Sequence, residues 1–276
     1  IRDVYKRQGA DQLGVATLAE ALELREAGIT APILCWIWSP EQDFAAALDA
    51  NIHLAVVSMA HAQAIVKYAA GKPEKLVQTT IKIDTGLHRS GVDESQWEAV
   101  FTLLKDAGTA TGNIEVTGVM SHLACADEPG NPANDTQAAA FNRAIALGRK
   151  LGLELPVNHL SNSPAVLTRP DFYHDMVRPG LAVYGYSPLA DGNDYGLQPA
   201  MSWVGKVTVV KPIEPGEGTS YNLTWRAAKP GYLAVIPAGY ADWLPRRVQN
   251  HVEVTIGGHR YPQVGRICMD QFVIDL

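Results

Sequence analysis

From Gly9 to about Gly185 the chain alternates between short β-rich runs and longer stretches with helical spacing. No other feature narrows the available folds as much. The strand candidates are "QLGVAT", "APILCWIW", "HLAVVS", "LVQTTIKID", "IEVTGVMSHL", "LPVNHLSN" and "MVRPGLAVYG". Between them lie the helix candidates "LAEALELREAG", "PEQDFAAALDAN", "AHAQAIVKYAAG", "ESQWEAVFTLLKDAG", "DTQAAAFNRAIALGRKLG" and the short "SPAVLTRP". Apolar residues recur in these at helical spacing, and several end at Gly or Asn. Parallel strands need crossovers and helices supply them, so the alternation predicts a parallel sheet. Seven strands fit an open doubly wound sheet or a β/α barrel one strand short. Lys82 and Asp84, His122, Asn162 and Arg178 fall at or near the C-terminal ends of four different strands. A barrel gathers such ends onto one face, whereas an open sheet spreads them. The expected fold is α/β, a β/α barrel without its first strand.

After about Gln198 the helical spacing stops. "MSWVGKVTVVKPI", "GYLAVIPAGYA", "HVEVTIGGHRYPQVGRI" and "DQFVIDL" read as strands separated by turns, with a Gly-Gly hairpin inside the third. A barrel domain over residues 9–195 and a mostly-β domain over 196–276 are expected. The opening "IRDVYKRQ" is charged and without periodicity, and residues 1–8 read as a leader foreign to the fold.

Composition excludes several classes. A hydrophobic content of 47% and a charged content of 19% over 276 residues suit a globular protein with a sizeable core. The net charge of -6 argues against a general nucleic-acid binder. No apolar run approaches the roughly 20 residues that span a bilayer. The three cysteines, Cys35, Cys125 and Cys268, form neither a disulfide framework nor a zinc pattern. A reducing, cytoplasmic setting is expected.

Taken singly, the polar residues leave structural and functional readings open. In "IKIDTGLHRSG", Arg89 offers a planar fork suited to a carboxylate, though the loop could equally hold solvated charges. His122 ends an apolar strand, where a lone histidine is more often a hydrogen-bonded structural residue than a catalyst. His122, Cys125, Asp127 and Glu128 match no zinc spacing, and no metal is expected. Asn162 and Ser163 sit where a strand hands over to a helix, as an N-cap or as an anion cradle. Arg178 stands in a mostly apolar strand, where a charge needs a partner. Gly180 beside it permits close backbone approach to a ligand. Tyr221, Tyr240, Met269 and Asp270 lie beside turns in the β domain.

Together, "IKIDTGLHRSG", "GVMSHLACADE", "HLSNSPAV", "MVRPGLAVYG", "IPAGYADW" and "VGRICMDQ" occur in the order and approximate spacing of bacterial alanine racemase. The chain resembles that family from about Gly9 to its last residue. The resemblance implies a β/α barrel followed by a β domain, working as a homodimer with pyridoxal 5'-phosphate (PLP). It implies interconversion of L- and D-alanine, supplying D-alanine for peptidoglycan. By the same resemblance Arg178 faces the cofactor's pyridine nitrogen, and His122 lies against the ring, bonded to Arg178 and to the catalytic tyrosine. Ser163, Gly180 and Leu181 cradle the phosphate, with Asn162 beside them. Arg89 lies near the substrate carboxylate, paired with Lys82, a lysine often carbamylated in the family. Tyr221 matches the catalytic tyrosine, supplied across the dimer interface, although "SYNLTW" keeps only part of the family's surrounding pattern. Met269 matches the backbone donor to the substrate carboxylate, with Asp270 and Tyr240 near the entrance. A phenol ordinarily titrates near 10, so a base role near neutrality needs a stabilised phenolate or a coupled transfer.

Racemisation needs a base on each face of the Cα carbon, and in the family the second is the lysine that anchors PLP. It ends the first barrel strand, a loop and a helix before the segment matching "GADQLGVAT". Lys6 is too close to Gly9 for that, since a βαβ unit takes roughly 30 residues. The anchoring lysine, the first strand and helix, and the end of the β domain with an entrance tyrosine are therefore expected to lie outside this chain, and the chain alone is expected to be inactive. A serine, lysine or broad-specificity PLP racemase, a non-catalytic PLP-binding barrel, and an interaction protein that has lost catalysis are the alternative readings.

Overall fold

The computed structural model describes residues 9–276. Residues 1–8, with Lys6, lie outside the described residues. The chain divides into two compact units, one running through Ala200 and the other spanning Met201–Leu276. The division falls shortly after the expected break at 195/196. The Ala200 N–H donates to the Tyr184 carbonyl at 3.0 Å and keeps the intervening segment with the first unit.

In the first unit five strands form a parallel sheet in sequential order: β1 (Leu13–Thr17), β2 (Ile33–Ile37), β3 (His53–Val56), β4 (Val77–Lys82) and β5 (Ile114–Met120). The crossovers are α1 (Leu18–Glu26), α2 (Phe44–Asp49), α3 (Met59–Gly71) and α4 (Trp97–Thr111), and α5 (Pro132–Lys150) follows β5. Local chemistry sets the helix starts. The Thr17 hydroxyl accepts from Glu20 N–H while the Glu20 carboxylate accepts from Thr17 N–H, which closes a capping box on α1. Ser58 caps α3, and Asn131 followed by Pro132 opens α5. Gly112 ends α4 in the left-handed region at φ 70°. The core lies between sheet and helices, where Leu54, Ile81, Phe101, Phe141 and Leu160 have no exposed surface.

The strands predicted from "LPVNHLSN" and "MVRPGLAVYG" do not form regularly, and the barrel is not closed. The winding continues nonetheless. Val157 and His159 N–H donate to the Thr117 and Val119 carbonyls of β5, and Asp175 and Arg178 N–H donate to Asn158 and Ser161. Side chains interrupt these ladders. Asn158 Oδ1 takes the Val119 N–H and its Nδ2 donates to Leu155 O, in place of backbone partners. Beyond Arg178, Pro179 has no N–H to donate, Gly180 N–H goes to the Ser163 hydroxyl, and Leu181–Tyr184 winds into a 3-10 turn. Gly118 makes the approach of the 157 segment possible, since a Cβ there would stand 1.8 Å from the Val157 carbonyl oxygen. The short α6 (Ser163–Thr168) lies between the two irregular segments.

The second unit is a five-stranded antiparallel sheet in which the strands over 253–256, 259–264, 272–275, 231–236 and 209–213 lie side by side in that order, with a small two-stranded ribbon of 218–219 and 225–226. Its strands are β6 (Val209–Ile213), β7 (Gly218–Thr219), β8 (Trp225–Arg226), β9 (Gly231–Ile236), β10 (Glu253–Ile256), β11 (His259–Val264) and β12 (Phe272–Asp275). Gly257 and Gly258, at φ 58° and 85°, make the expected two-residue hairpin between β10 and β11. The run predicted over 201–213 is strand only from Val209. Pro212 fits because β6 is an edge strand. Ala234, Ile236, Ile267, Phe272 and Ile274 form this unit's core. No helix among the described residues is long and apolar enough to cross a membrane.

Candidate active site

The chemistry-bearing residues of the first unit collect beyond the C-terminal ends of its strands. Lys82 closes β4 and is buried. The loop that follows carries Asp84, whose carboxylate accepts the Gly86 and His88 N–H groups and shapes the turn leading to Arg89. His122 stands two residues past the end of β5.

Arg178 is the centre of the arrangement. Nη1 donates to His159 Nδ1 and to His159 O, both at 2.7 Å, and Nη2 donates to Ser121 O at 2.6 Å and Leu160 O at 3.2 Å. The planar fork is thus spread over three carbonyls and an imidazole, a match an ammonium group could not reproduce. Burial pulls the guanidinium down to about 10, which leaves it charged near neutrality. Because arginine only donates, His159 Nδ1 must accept, and the neutral ring carries its proton on Nε2. Burial, then Arg178, holds His159 well below the ordinary imidazole range, consistent with that neutral form.

His159 is the residue that sequence reasoning passed over. It stands in the quoted "HLSNSPAV", and a histidine in apolar surroundings one turn of chain before an anion cradle was a usable signal. The resemblance predicts a bond from Arg178 to His122, but the imidazole that Arg178 grips is His159, since the 157–161 segment runs directly beside the Asp175–Arg178 segment. His122 instead faces the cluster electrostatically. Burial first, then the charges of Arg178, Arg89 and Lys82, bring it down to about 4. Lys82 is likewise lowered, by burial and then by Arg89 and Arg178, against an opposing pull from Asp84.

These shifts carry a stability consequence. Between the ordinary imidazole value of 6.5 and about 4, the unfolded chain binds more protons at His122 than the folded one. Stability therefore rises with pH across that window and is lost as pH falls through it, and His159 adds to the effect. Thermal unfolding followed from pH 7 to 4 is expected to show a falling Tm, with the slope reduced in a His122→Gln variant. A Tm indifferent to pH over this range would contradict the neutral, buried histidines.

Ser163 supplies the second feature. Its hydroxyl oxygen accepts the Gly180 N–H at 2.7 Å and the Ala182 N–H at 3.3 Å. Both lone pairs are then used, and the hydroxyl proton is left to donate to a ligand. Asn162 caps α6 beside it, its side chain accepting from Ala165 N–H. Leu181 opens the 3-10 turn, where the first N–H groups have no partner within the turn. An O–H and backbone donors directed from a cationic surround fit an anion such as phosphate. Among the described residues no three His, Cys, Asp or Glu side chains gather as a metal site.

In the second unit Tyr240 and Met269 are brought together. Tyr240 and Ala241 N–H donate to the Cys268 and Met269 carbonyls at 3.0 and 2.9 Å. Gly239 allows this, since a Cβ there would stand 2.2 Å from the Met269 carbonyl oxygen. The Arg246 guanidinium lies 4.9 Å over the Tyr240 ring and Nε donates to Ile267 O, a brace the sequence did not reveal. Met269 and Asp270 are exposed. Tyr221 is 61% exposed, on a turn where Ser220, Asn222 and Leu223 all have positive φ. Such strain in non-glycine residues is costly and gathers at functional positions. Arg266 Nη1 donates to Asn222 Oδ1 at 3.4 Å and ties that turn to the stretch that leads to Met269.

Comparison with known proteins matches both units. The family model for the alanine racemase N-terminal domain matches residues 2–188, and that for the alanine racemase C-terminal domain matches residues 200–276. An alanine racemase of Corynebacterium efficiens is 61% identical over 276 residues, which is 100% of this chain and 73% of that protein. One from Mycobacterium tuberculosis is 46% identical over 268 residues, covering 97% of this chain and 69% of its own length. The crystal structure of the Corynebacterium glutamicum alanine racemase superposes with a TM-score of 0.83 at 56% identity, over 98% of this chain and 71% of that one. The enzyme from D-cycloserine-producing Streptomyces lavendulae superposes at 0.92 with 40% identity, over 98% and 71% of the two chains. With matches that run across both of its units, the chain belongs to the alanine racemase family.

Proposed function

We propose that the chain carries the active-site residues of a PLP-dependent racemase that interconverts L- and D-alanine. The observation that carries this reading is the group of Lys82, Arg89 and Arg178 around a neutral His122, together with Ser163, whose hydroxyl proton has no acceptor among the described residues. PLP combines an anionic phosphate with an aromatic ring, and these residues suit both. The Ser163 hydroxyl and the Leu181 N–H would hold the phosphate, with Gly180, whose own N–H goes to Ser163, letting the backbone come close and Asn162 shaping the cradle. Arg178 would be the residue toward the ring nitrogen, and since it does not release its proton it would not protonate that nitrogen. His122 would lie against the ring in its neutral form.

When bound, the cofactor delocalises the electron pair left at Cα and so acidifies the Cα–H bond. Arg89 and the Met269 N–H bind the substrate carboxylate, and Tyr240 and Asp270 line the way in. Tyr221 holds or takes a proton at its phenolic oxygen on one face of Cα, and a lysine amine serves the other. The exposure of Tyr221 suits a residue that one copy of a homodimer supplies to the other. Lys82, buried at the end of β4 with its pKa lowered by burial and by Arg89 and Arg178, suits carbamylation by carbon dioxide, after which it would pair with Arg89.

The protein to assay is a chimera that extends the chain with the Corynebacterium efficiens relative's own flanking segments. Loaded with PLP and given L-alanine, it is expected to form D-alanine until the enantiomers are equal, faster than it racemises serine or lysine. Peptide mapping of the same sample reads the carbon dioxide adduct at Lys82. A folded, PLP-loaded chimera that makes no D-alanine would overturn the assignment. Preference for serine or lysine would move it to another racemase of the same chemistry.

A further inference from the structure

The loop that bears His122 has little structure of its own. It begins where β5 ends at Met120, and Ala124 within it is exposed. What holds it is Gln137, which comes from α5 and is only 2% exposed. The Gln137 Oε1 accepts the Ala124 N–H at 2.8 Å. Its Nε2 donates to the His122 carbonyl at 3.1 Å and to the Thr85 hydroxyl at 3.2 Å. One amide therefore grips the loop on both sides of Leu123 and reaches across to the end of β4.

The direction of this network is determined. Ser121 Oγ donates to Ile83 O at 2.9 Å, which uses its only proton. The 2.8 Å contact between Thr85 and Ser121 hydroxyls must then run from Thr85 to Ser121. The Thr85 oxygen is left to accept from Gln137. A flipped amide would set an NH2 group against the Ala124 N–H, so only one orientation satisfies every group. The chain of donors runs from Gln137 through Thr85 and Ser121 to Ile83. The carbonyl of the same Ser121 accepts from Arg178. Gly86 packs against the Gln137 side chain, 3.4 Å from its Cγ at the Cβ position.

We infer that Gln137 is a positioning residue of the active site: it sets where His122 stands relative to Lys82, Arg89 and Arg178. It touches none of the reacting groups and acts through the backbone on either side of Leu123 and through Thr85, which leads into the loop of Arg89. The inference rests on the reading of His122 as a cofactor-facing residue. Thr85, Ser121 and Gln137 are uncharged, so the network can hold the loop at constant geometry while the charges around His122 do the electrostatic work.

The test uses the 276-residue chain and its own histidine rings. Gln137→Met keeps length and packing but removes all three bonds. Thr85→Val removes only the bridge to Ser121 and one acceptor of Gln137. The groups that face His122 are Lys82 at the end of β4, Arg89 in the loop after it, and Arg178. NMR titration of Gln137→Met is expected to raise the His122 midpoint by about one unit or more toward the ordinary imidazole value. His159, held by Arg178, is expected to stay where it was, and the Ala124 amide to exchange faster. Thr85→Val is expected to move His122 the same way by less, and it decides the matter should Gln137→Met not fold. A folded variant whose His122 titrates as in the unaltered chain would overturn the inference. PLP titration of the extended chimera, which carries an anchoring lysine, is read separately: failure to bind there would count against the cofactor reading and leave the His122 result intact.

Discussion

Replacing Arg178 with Ala is expected to lower the free energy of unfolding by roughly 3–5 kcal/mol. The guanidinium is the sole side-chain donor recorded to the carbonyls of Ser121, His159 and Leu160 among the described residues, and it also holds His159 Nδ1. Truncation leaves the Ser121 and Leu160 carbonyls and His159 Nδ1 without this donor and the His159 carbonyl with only the Ser121 N–H at 3.4 Å, and Ser121 and His159 are about 1% exposed. A buried acceptor left without a donor costs about 1–3 kcal/mol, and the losses do not add fully. Arg178→Lys is expected to recover only part of the loss, because one ammonium cannot span acceptors arranged for a planar fork. Urea unfolding of the three proteins measures this directly. A cost below about 1 kcal/mol for Arg178→Ala would show that the 157–161 and 175–178 segments are held by something else.

Tyr221→Phe is expected to abolish racemisation in the extended chimera, with a loss on the order of 10²–10⁴-fold, the range for removing a positioned acid or base. The variant keeps the ring on its strained turn and removes only the hydroxyl. One base remains on the other face of Cα. In deuterated water one enantiomer of alanine is therefore expected to keep exchanging its Cα proton while neither is converted to the other. That split distinguishes a lost base from a collapsed site, which would stop exchange as well. Co-expression of Tyr221→Phe with Arg89→Ala is expected to restore part of the activity if one copy's Tyr221 completes the other's site. Racemisation undiminished in Tyr221→Phe would remove this residue from the mechanism.

The first five strands and the helices between them were legible because each element carries its own local signal. Four of the six residues of β4 are Val, Ile or Thr, the β-branched types that suit a strand, and five of the six are buried. The candidates "LAEALELREAG" and "AHAQAIVKYAAG" start within one residue of where they were expected, whereas α5 opens at Pro132, three residues before the expected Asp135, because Asn131 caps it there. The Gly-Gly hairpin needs no tertiary help, since the turn itself demands two positive φ angles. The resemblance to the racemases was likewise carried by short contiguous motifs and is shown by the family matches.

The segments 155–162 and 176–185 have strand-like composition and failed as strands because side chains took the ladder's hydrogen bonds. Whether Asn158 would bond Val119, or Ser163 take the Gly180 N–H, depends on residues far apart in the chain meeting in space. The site divides in the same way. Lys82, His122, Ser163 and Arg178 could be named from the motifs, but the pairing of Arg178 with His159 could not, nor the reach of Gln137 from α5 to the His122 loop. By itself the sequence determined the order of elements, the turns and the residue types at the strand ends, because those depend on near neighbours. Only the tertiary structure decided which donor meets which acceptor, because a buried polar group takes whatever partner packing places within about 3 Å.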